Sequence, residues 1–397
     1  MNLSLFSKII SINSIYPNEH ALGEFLCDYM AKLWFIINKE YIHESYRASE
    51  IDATRYNIIA TKWTWSQSIV FYAHMDTVPI HDKLLWKSDP FTLTMDEDNA
   101  DIARGLWAVD MKGGLFAILE SIADIEPKKY KFKIIFWCDE ECRSKWWYSL
   151  MKSDIFDDVA IIISPETWTS IQKDTNTKNI ILWRRGRLVI HITVPGKSCH
   201  GGIAEQEGIN AITQASILAT YIDEHCQQTK TDELLPMGNQ FVKWFTSHVS
   251  SLSVPDKAEL IIDRHIVRWE TANSAIQELN IIIKNLIDQG KLKEIPGHPF
   301  VVKLFERPTP PPQAYVTDSN NVLVQKLLQA AKSTYIHTNI WYGYSVADEN
   351  VFAQSGLPIV VLWPDGWNGH GSNEWVSLQS IERLISTYKT FLHSIEN

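Results

Sequence analysis

The sequence predicts a mixed α/β fold: a mostly parallel sheet flanked by helices, with a smaller α+β domain inserted into it. Three observations carry this. Strand-like and helix-like segments alternate through the first half, a tighter β-α-β-α-β run occupies the middle, and alternation resumes after the turn cluster RPTPPP at 307–312. Alternation of this kind argues for parallel strands with helices on the sheet faces. The length, 397 residues, also exceeds what one core usually holds.

In chain order, residues 1–30 read as an amphipathic helix outside the sheet. IVFYAHM (69–75) is a buried strand, DMKGGLFAILESIADI (110–125) a helix, and KFKIIFWC (131–138) and VAIIIS (159–164) are strands again. In the middle, RLVIHITV (187–194) alternates as a half-buried strand. Helix, strand, helix and strand follow at 208–225, 258–267, 272–290 and 300–305, with room for another strand near 240–252. The last part reads as a helix at 322–334, a strand at 357–363 and a closing helix at 377–395. The simplest domain scheme is 1–180 and 308–397 as one domain, with 181–307 inserted into it.

A net charge of -10 and a pI near 5.7 disfavour nucleic acid and anionic membrane as partners. No apolar run approaches the roughly 18 residues of a membrane span. The first residues, MNLSLFSKIISINSIY, lack the unbroken apolar stretch and small-residue cleavage site of a signal peptide, so a cytoplasmic location is expected. The five cysteines (Cys27, Cys138, Cys142, Cys199 and Cys226) form no CxxC pair and read as free thiols. One count is abnormal: 16 Trp stand beside 17 Gly, where average usage would give roughly 28 Gly.

The chemistry-bearing residues fall at the ends of predicted strands, the edge of an open α/β sheet where ligands bind. His74 and Asp76 lie in HMDTVP, Asp110 in AVDMKGG, Asp139, Glu140 and Glu141 after the strand 131–138, Glu166 in SPET, and His370 and Glu374 in NGHGSNE. Each has a bland reading alone, as a turn histidine, a helix-start carboxylate or a solvated acidic turn. Together, His74, Asp110, Glu141, Glu166 and His370 make two imidazoles and three carboxylates, a mixed set that suits zinc, cobalt or manganese. Five ligands exceed one tetrahedral site, so a bridging carboxylate and two ions are expected. Glu140 is then left beside the metals as a general base, and Asp76 as the carboxylate that orients His74.

These motifs, with GKSCHGG (196–202), IIDR (261–264) and the HGSNEW end (370–375), resemble a known superfamily in content and order. It is the metal-dependent aminoacylase, acetylornithine deacetylase, succinyl-diaminopimelate desuccinylase and glutamate carboxypeptidase superfamily. The resemblance implies that His74 and His370 bind one metal each, Asp110 bridges them ahead of a cis peptide, Glu141 and Glu166 complete the two ions, and Glu140 is the base. It implies that His200 is a lid histidine reaching the site across a dimer interface to polarise the scissile carbonyl. Arg264 would meet a substrate carboxylate. It also implies that 181–307 is a ferredoxin-like lid and homodimerisation domain. SPET departs from the family's Glu-Pro-Thr order. Trp stands where the family usually has Gly at 107, 146 or 147, 168, 183, 269 and 363, and this would crowd the site. The expected reaction is hydrolysis of an N-acyl amino acid, as in amino-acid biosynthesis, with a dipeptide or C-terminal peptide bond as the alternative. A metal-binding but catalytically impaired homologue is the alternative of another class.

Overall fold

Apolar, β-branched runs build the centre of the sheet. In the computed structural model, Ser68–His74 is buried at every position, and Lys131–Trp137 and Val159–Ser164 at all but one each. That is the pattern of strands covered on both faces. Ser68–His74 lies between the other two and runs parallel to both, and Ile359–Val361 continues the parallel set beyond Val159–Ser164. Antiparallel strands flank this core: Tyr56–Lys62 and then Ile36–Tyr41 on one side, Thr177–Arg184 on the other. The structure describes all residues except 45, 46, 48, 81–82, 142–152, 167–176, 248–251, 308 and 397.

The parallel strands point the same way, so the loops after 74, 137 and 164 leave from one edge of the sheet. The helix Gly113–Ile122, almost wholly buried, packs beside the closing helix Leu378–Glu396, which also packs on Val322–Thr334. The single helix expected over 1–30 is two, Leu3–Ser11 and His20–Lys32. The break contains Pro17, which has no N–H to give a helix ladder and follows a cis peptide.

The chain divides into two compact units, 1–182 with 316–397, and 183–315. The expected second boundary, 307, falls short of the observed one because the Arg187 N–H donates to the Pro312 carbonyl at 2.9 Å and keeps the proline-rich turn with the second unit. That unit has the order Gly186–Pro195, Ala211–His225, Asn239–Ser247, Lys257–Ile266, Ala272–Asp288, Val301–Leu304. Its four antiparallel strands run, across the sheet, 239–247, 257–266, 186–195, 301–304, a ferredoxin-like arrangement. Leu188, Ile190, Ile192 and Val194 alternate inward to meet Leu218 and Leu279 from the two helices. Among the described residues no helix is long and apolar enough to cross a membrane.

Candidate metal centre

Five strand-end loops of the unit formed by 1–182 and 316–397 deliver the site. His74 is the last residue of its strand and is 2% exposed. Its Nδ1 lies 2.9 Å from the Asp76 carbonyl oxygen, which fixes the ring with Nε2 directed at the carboxylates. The Asp76 side chain was expected to orient His74, but its carboxylate is 3.8 Å from Nδ1. It accepts instead the N–H groups of Glu140 and Glu141, at 3.1 and 2.9 Å. Asp76 therefore positions His74 through its main chain and the acidic loop through its side chain.

Asp110 is the hub. Its Oδ1 is 3.3 Å from His74 Nε2 and its Oδ2 is 3.1 Å from His370 Nε2, so each oxygen addresses a different imidazole. The peptide after it is cis. Glu166 Oε2 lies 3.6 Å from His74 Nε2, and Glu141 Oε1 lies 2.9 Å from His370 Nε2. Two triplets result, His74–Asp110–Glu166 and Asp110–Glu141–His370, each with ligand atoms within 4.8 Å of one another and with Asp110 common to both. His74, Glu140 and Glu141 form a third, overlapping group.

Asp139, Glu140 and Glu141 are adjacent yet serve different ends. Asp139 turns back, with positive φ, to Arg55 at 3.6 Å, a buried guanidinium also paired with Glu19 and Asp52. Glu140 and Glu141 face the other carboxylates. Burial first, then the nearby charges of Asp348, Glu166 and Glu141, push the Glu140 carboxyl well above the ordinary range. Asp348 is itself buried and accepts a 2.5 Å bond from the Tyr72 hydroxyl. Burial opposes charge on His370, but its hydrogen bonds to Asp110 and Glu141 outweigh it and carry the pKa up to about 10. Against its own burial, the same bonds from His370 and His74 hold Asp110 well below its ordinary value. Among the described residues, Asp110, Glu140, Glu141 and Glu166 thus confront two imidazoles. Such an excess of buried negative charge calls for cations, and the N/O donor set fits two divalent ions sharing Asp110.

Glu374, which lies four residues after His370 and had no role assigned from sequence, holds the hub in place. It is fully buried, and its carboxylate accepts the N–H groups of Trp107, Val109 and Asp110 at 2.9, 2.8 and 3.0 Å. Burial and the facing Asp110 push it up to about 8.

His200 and Arg264 belong to the unit 183–315. His200 is exposed, and its Nδ1 accepts the Gly202 N–H at 3.1 Å. Arg264 corrects an expectation. It is 0% exposed, and its guanidinium donates to Glu270, to Gln240 at 2.9 Å and to Glu278 at 3.1 Å. A guanidinium committed on every side has no edge left for a substrate carboxylate. Of the tryptophans expected to crowd the site, Trp107 is buried with its ring 4.8 Å from that of His370, Trp363 is buried over Lys178, Trp183 is half-buried and Trp269 is exposed. Trp146, Trp147 and Trp168 lie outside the described residues.

Residues 70–394 match the model of Peptidase family M20/M25/M40. The chain is 24% identical to the succinyl-diaminopimelate desuccinylase of Nitratiruptor sp., with 99% of each chain covered. It is 25% identical to the acetylornithine deacetylase of Proteus mirabilis, over 96% of this chain and 93% of that one. A tripeptidase from Staphylococcus aureus superposes with a TM-score of 0.75 at 17% identity, over 99% of this chain and 97% of that one, a likeness of fold.

Proposed function

Because this chain belongs to peptidase family M20/M25/M40, and so is a metal-dependent hydrolase of amide or peptide bonds, we propose that it cleaves the amide of an N-acyl amino acid. The observation that carries the reading is the pair of triplets sharing Asp110. His74, Asp110 and Glu166 would hold one ion and Asp110, Glu141 and His370 the other, zinc by choice of donors, with cobalt or manganese as substitutes. Such ions supply Lewis acidity toward the carbonyl and lower the pKa of water. Glu140, its backbone pinned by Asp76, takes the proton of the attacking water and returns it to the leaving amine.

His200 is the proposed donor to the oxyanion. Because Nδ1 accepts the Gly202 N–H, the neutral ring carries its proton on Nε2, the tautomer an oxyanion donor needs. We place this contact across a homodimer interface made by the unit 183–315. The strand Asn239–Ser247 ends that unit's sheet and exposes Phe241, Trp244 and Phe245.

The test is hydrolysis by chelated protein given back zinc, cobalt or manganese, with N-acetyl and N-succinyl amino acids and dipeptides as substrates. Faster turnover of acyl amino acids supports the reading. Turnover of dipeptides alone transfers it to a peptidase, and no turnover with any metal defeats it. His200→Ala should lower turnover about 10²–10³-fold with unchanged metal content.

A further inference from the structure

Seven non-glycine residues have a left-handed backbone among the described residues, and they fall into two groups. Asp139, Asn368, His370 and Asn373 are of the types that tolerate positive φ. The other three are tryptophans: Trp34 at 65°, Trp63 at 69° and Trp107 at 65°. A bulky side chain is an outlier there, because its Cβ crowds the following carbonyl.

Each sits where the backbone calls for glycine. Trp34 is the residue past the end of the helix His20–Lys32. The Phe35 N–H donates to the Met30 carbonyl at 3.1 Å and the Trp34 N–H to that of Ala31 at 3.0 Å. Those two bonds define the Schellman motif, whose left-handed position is filled by glycine in most helices that use it. The Trp34 side chain is 84% exposed, so no packing offsets the strain. Trp63 ends the strand Tyr56–Lys62, is 55% exposed, and has one 3.3 Å bond to Glu126. Trp107 opens the turn that carries Asp110. It is fully buried, with an indole N–H that has no acceptor among the described residues, and its ring lies against His370. The composition agrees: a chain with 16 Trp and 17 Gly has too many of one and too few of the other.

We propose that positions 34, 63 and 107 are glycine positions, and that the working chain carries glycine at them. One codon suffices as the cause: UGA is read as tryptophan in some genetic codes and as glycine in others. The same exchange at 107 bears on the metal centre. It removes an indole from beside His370 and leaves the wall of the Asp110–Glu141–His370 triplet open to substrate.

Two measurements test this independently of the substrate class. The first is peptide mass spectrometry of the protein recovered from its source organism. Peptides spanning 34, 63 and 107 should be lighter by the difference between tryptophan and glycine at each position, and tryptophan masses there would overturn the proposal. The second is thermal unfolding of the tryptophan-bearing chain beside Trp34→Gly and Trp63→Gly. Each should raise Tm by about 2–4 °C. A Tm unchanged or lowered in both variants would overturn the claim that the backbone requires glycine.

Discussion

The two units each bury a cluster of charge, and the clusters are built on opposite terms. In 183–315, the Arg264 guanidinium meets Glu270 and Glu278, with Gln240 filling the remaining edge and Lys230 reaching Glu278 at 2.8 Å. Cations and anions balance, and the group is closed. In the other unit, among the described residues, Asp110, Glu140, Glu141 and Glu166 crowd around His74 and His370, and even with both imidazoles protonated the carboxylates outnumber the cations. A closed cluster fixes local structure. An open, uncompensated one is a receptor for cations. The difference is one of surplus charge, not of burial, since Arg264 and His74 are both buried.

The comparison breaks first at Glu140. If the open cluster is catalytic, Glu140→Gln keeps the metals, because Glu140 lies outside the two triplets that share Asp110, and lowers turnover about 10²–10⁴-fold. Metal content by elemental analysis and initial rate measured together decide this, and a near-parental rate would remove Glu140 as the base. The closed cluster answers to a different assay. Arg264→Met leaves Glu270 and Glu278 without their guanidinium and should cost about 3–5 kcal/mol of stability, read by urea unfolding. A substrate clamp would show the reverse, a raised KM with the unfolding midpoint unchanged.

What could be read from sequence follows the same division. Three of the expected ligands, His74, Glu141 and Glu166, could be proposed from sequence because each follows an apolar strand of one parallel sheet, whose strand ends share an edge, whereas Asp110 and His370 follow short strands of a separate antiparallel sheet and were proposed from their motifs. Arg264 was misread because IIDR looks alike whether the arginine faces a ligand or a neighbouring helix. Only the helix residue Glu278 and the turn residue Glu270, distant in neither sequence nor space, reveal which. Glu374 was visible as a residue but not as a part. It acts on backbone N–H groups, which leave no trace in side-chain identity. The strands Ile36–Tyr41 and Tyr56–Lys62 escaped notice because the first, IINKEY, is an edge strand with polar residues in place of a buried run. The excess of tryptophan was plain in the composition, but its left-handed backbone was not.

Glu374 sharpens the comparison from inside the open cluster. Its carboxylate collects three N–H groups around Asp110, so Glu374→Ala should leave the ligands present but the hub poorly aimed. Loss of such a supporting contact typically weakens metal binding about 10–100-fold. Competition with a chelating dye measures this. Unchanged affinity would mean that the Asp110 loop holds its shape without the cradle.

The smallest expected effect separates the units by pH. His265 stands on the strand Lys257–Ile266, with its Nδ1 buried and without a partner among the described residues. Burial first, then the positive charges of Arg185 and Arg187, push its pKa down to about 4 against the partial opposition of Asp263. An unfolded chain would titrate this group near 6.5. Between those values the unfolded state binds more protons than the folded one, so stability rises with pH across the window. The contribution is complete above the unfolded value and is lost as pH falls toward the folded one. Its size is on the order of 2 kcal/mol after allowance for partial exposure. Burial also raises Glu140 and Glu141 at the metal centre and adds their own pH dependence, so the quantity to compare is the unfolding free energy of parent minus His265→Gln, taken at several pH values from neutral to mildly acidic. That difference should shrink as pH falls. A difference independent of pH would show that His265 keeps its ordinary titration in the folded chain.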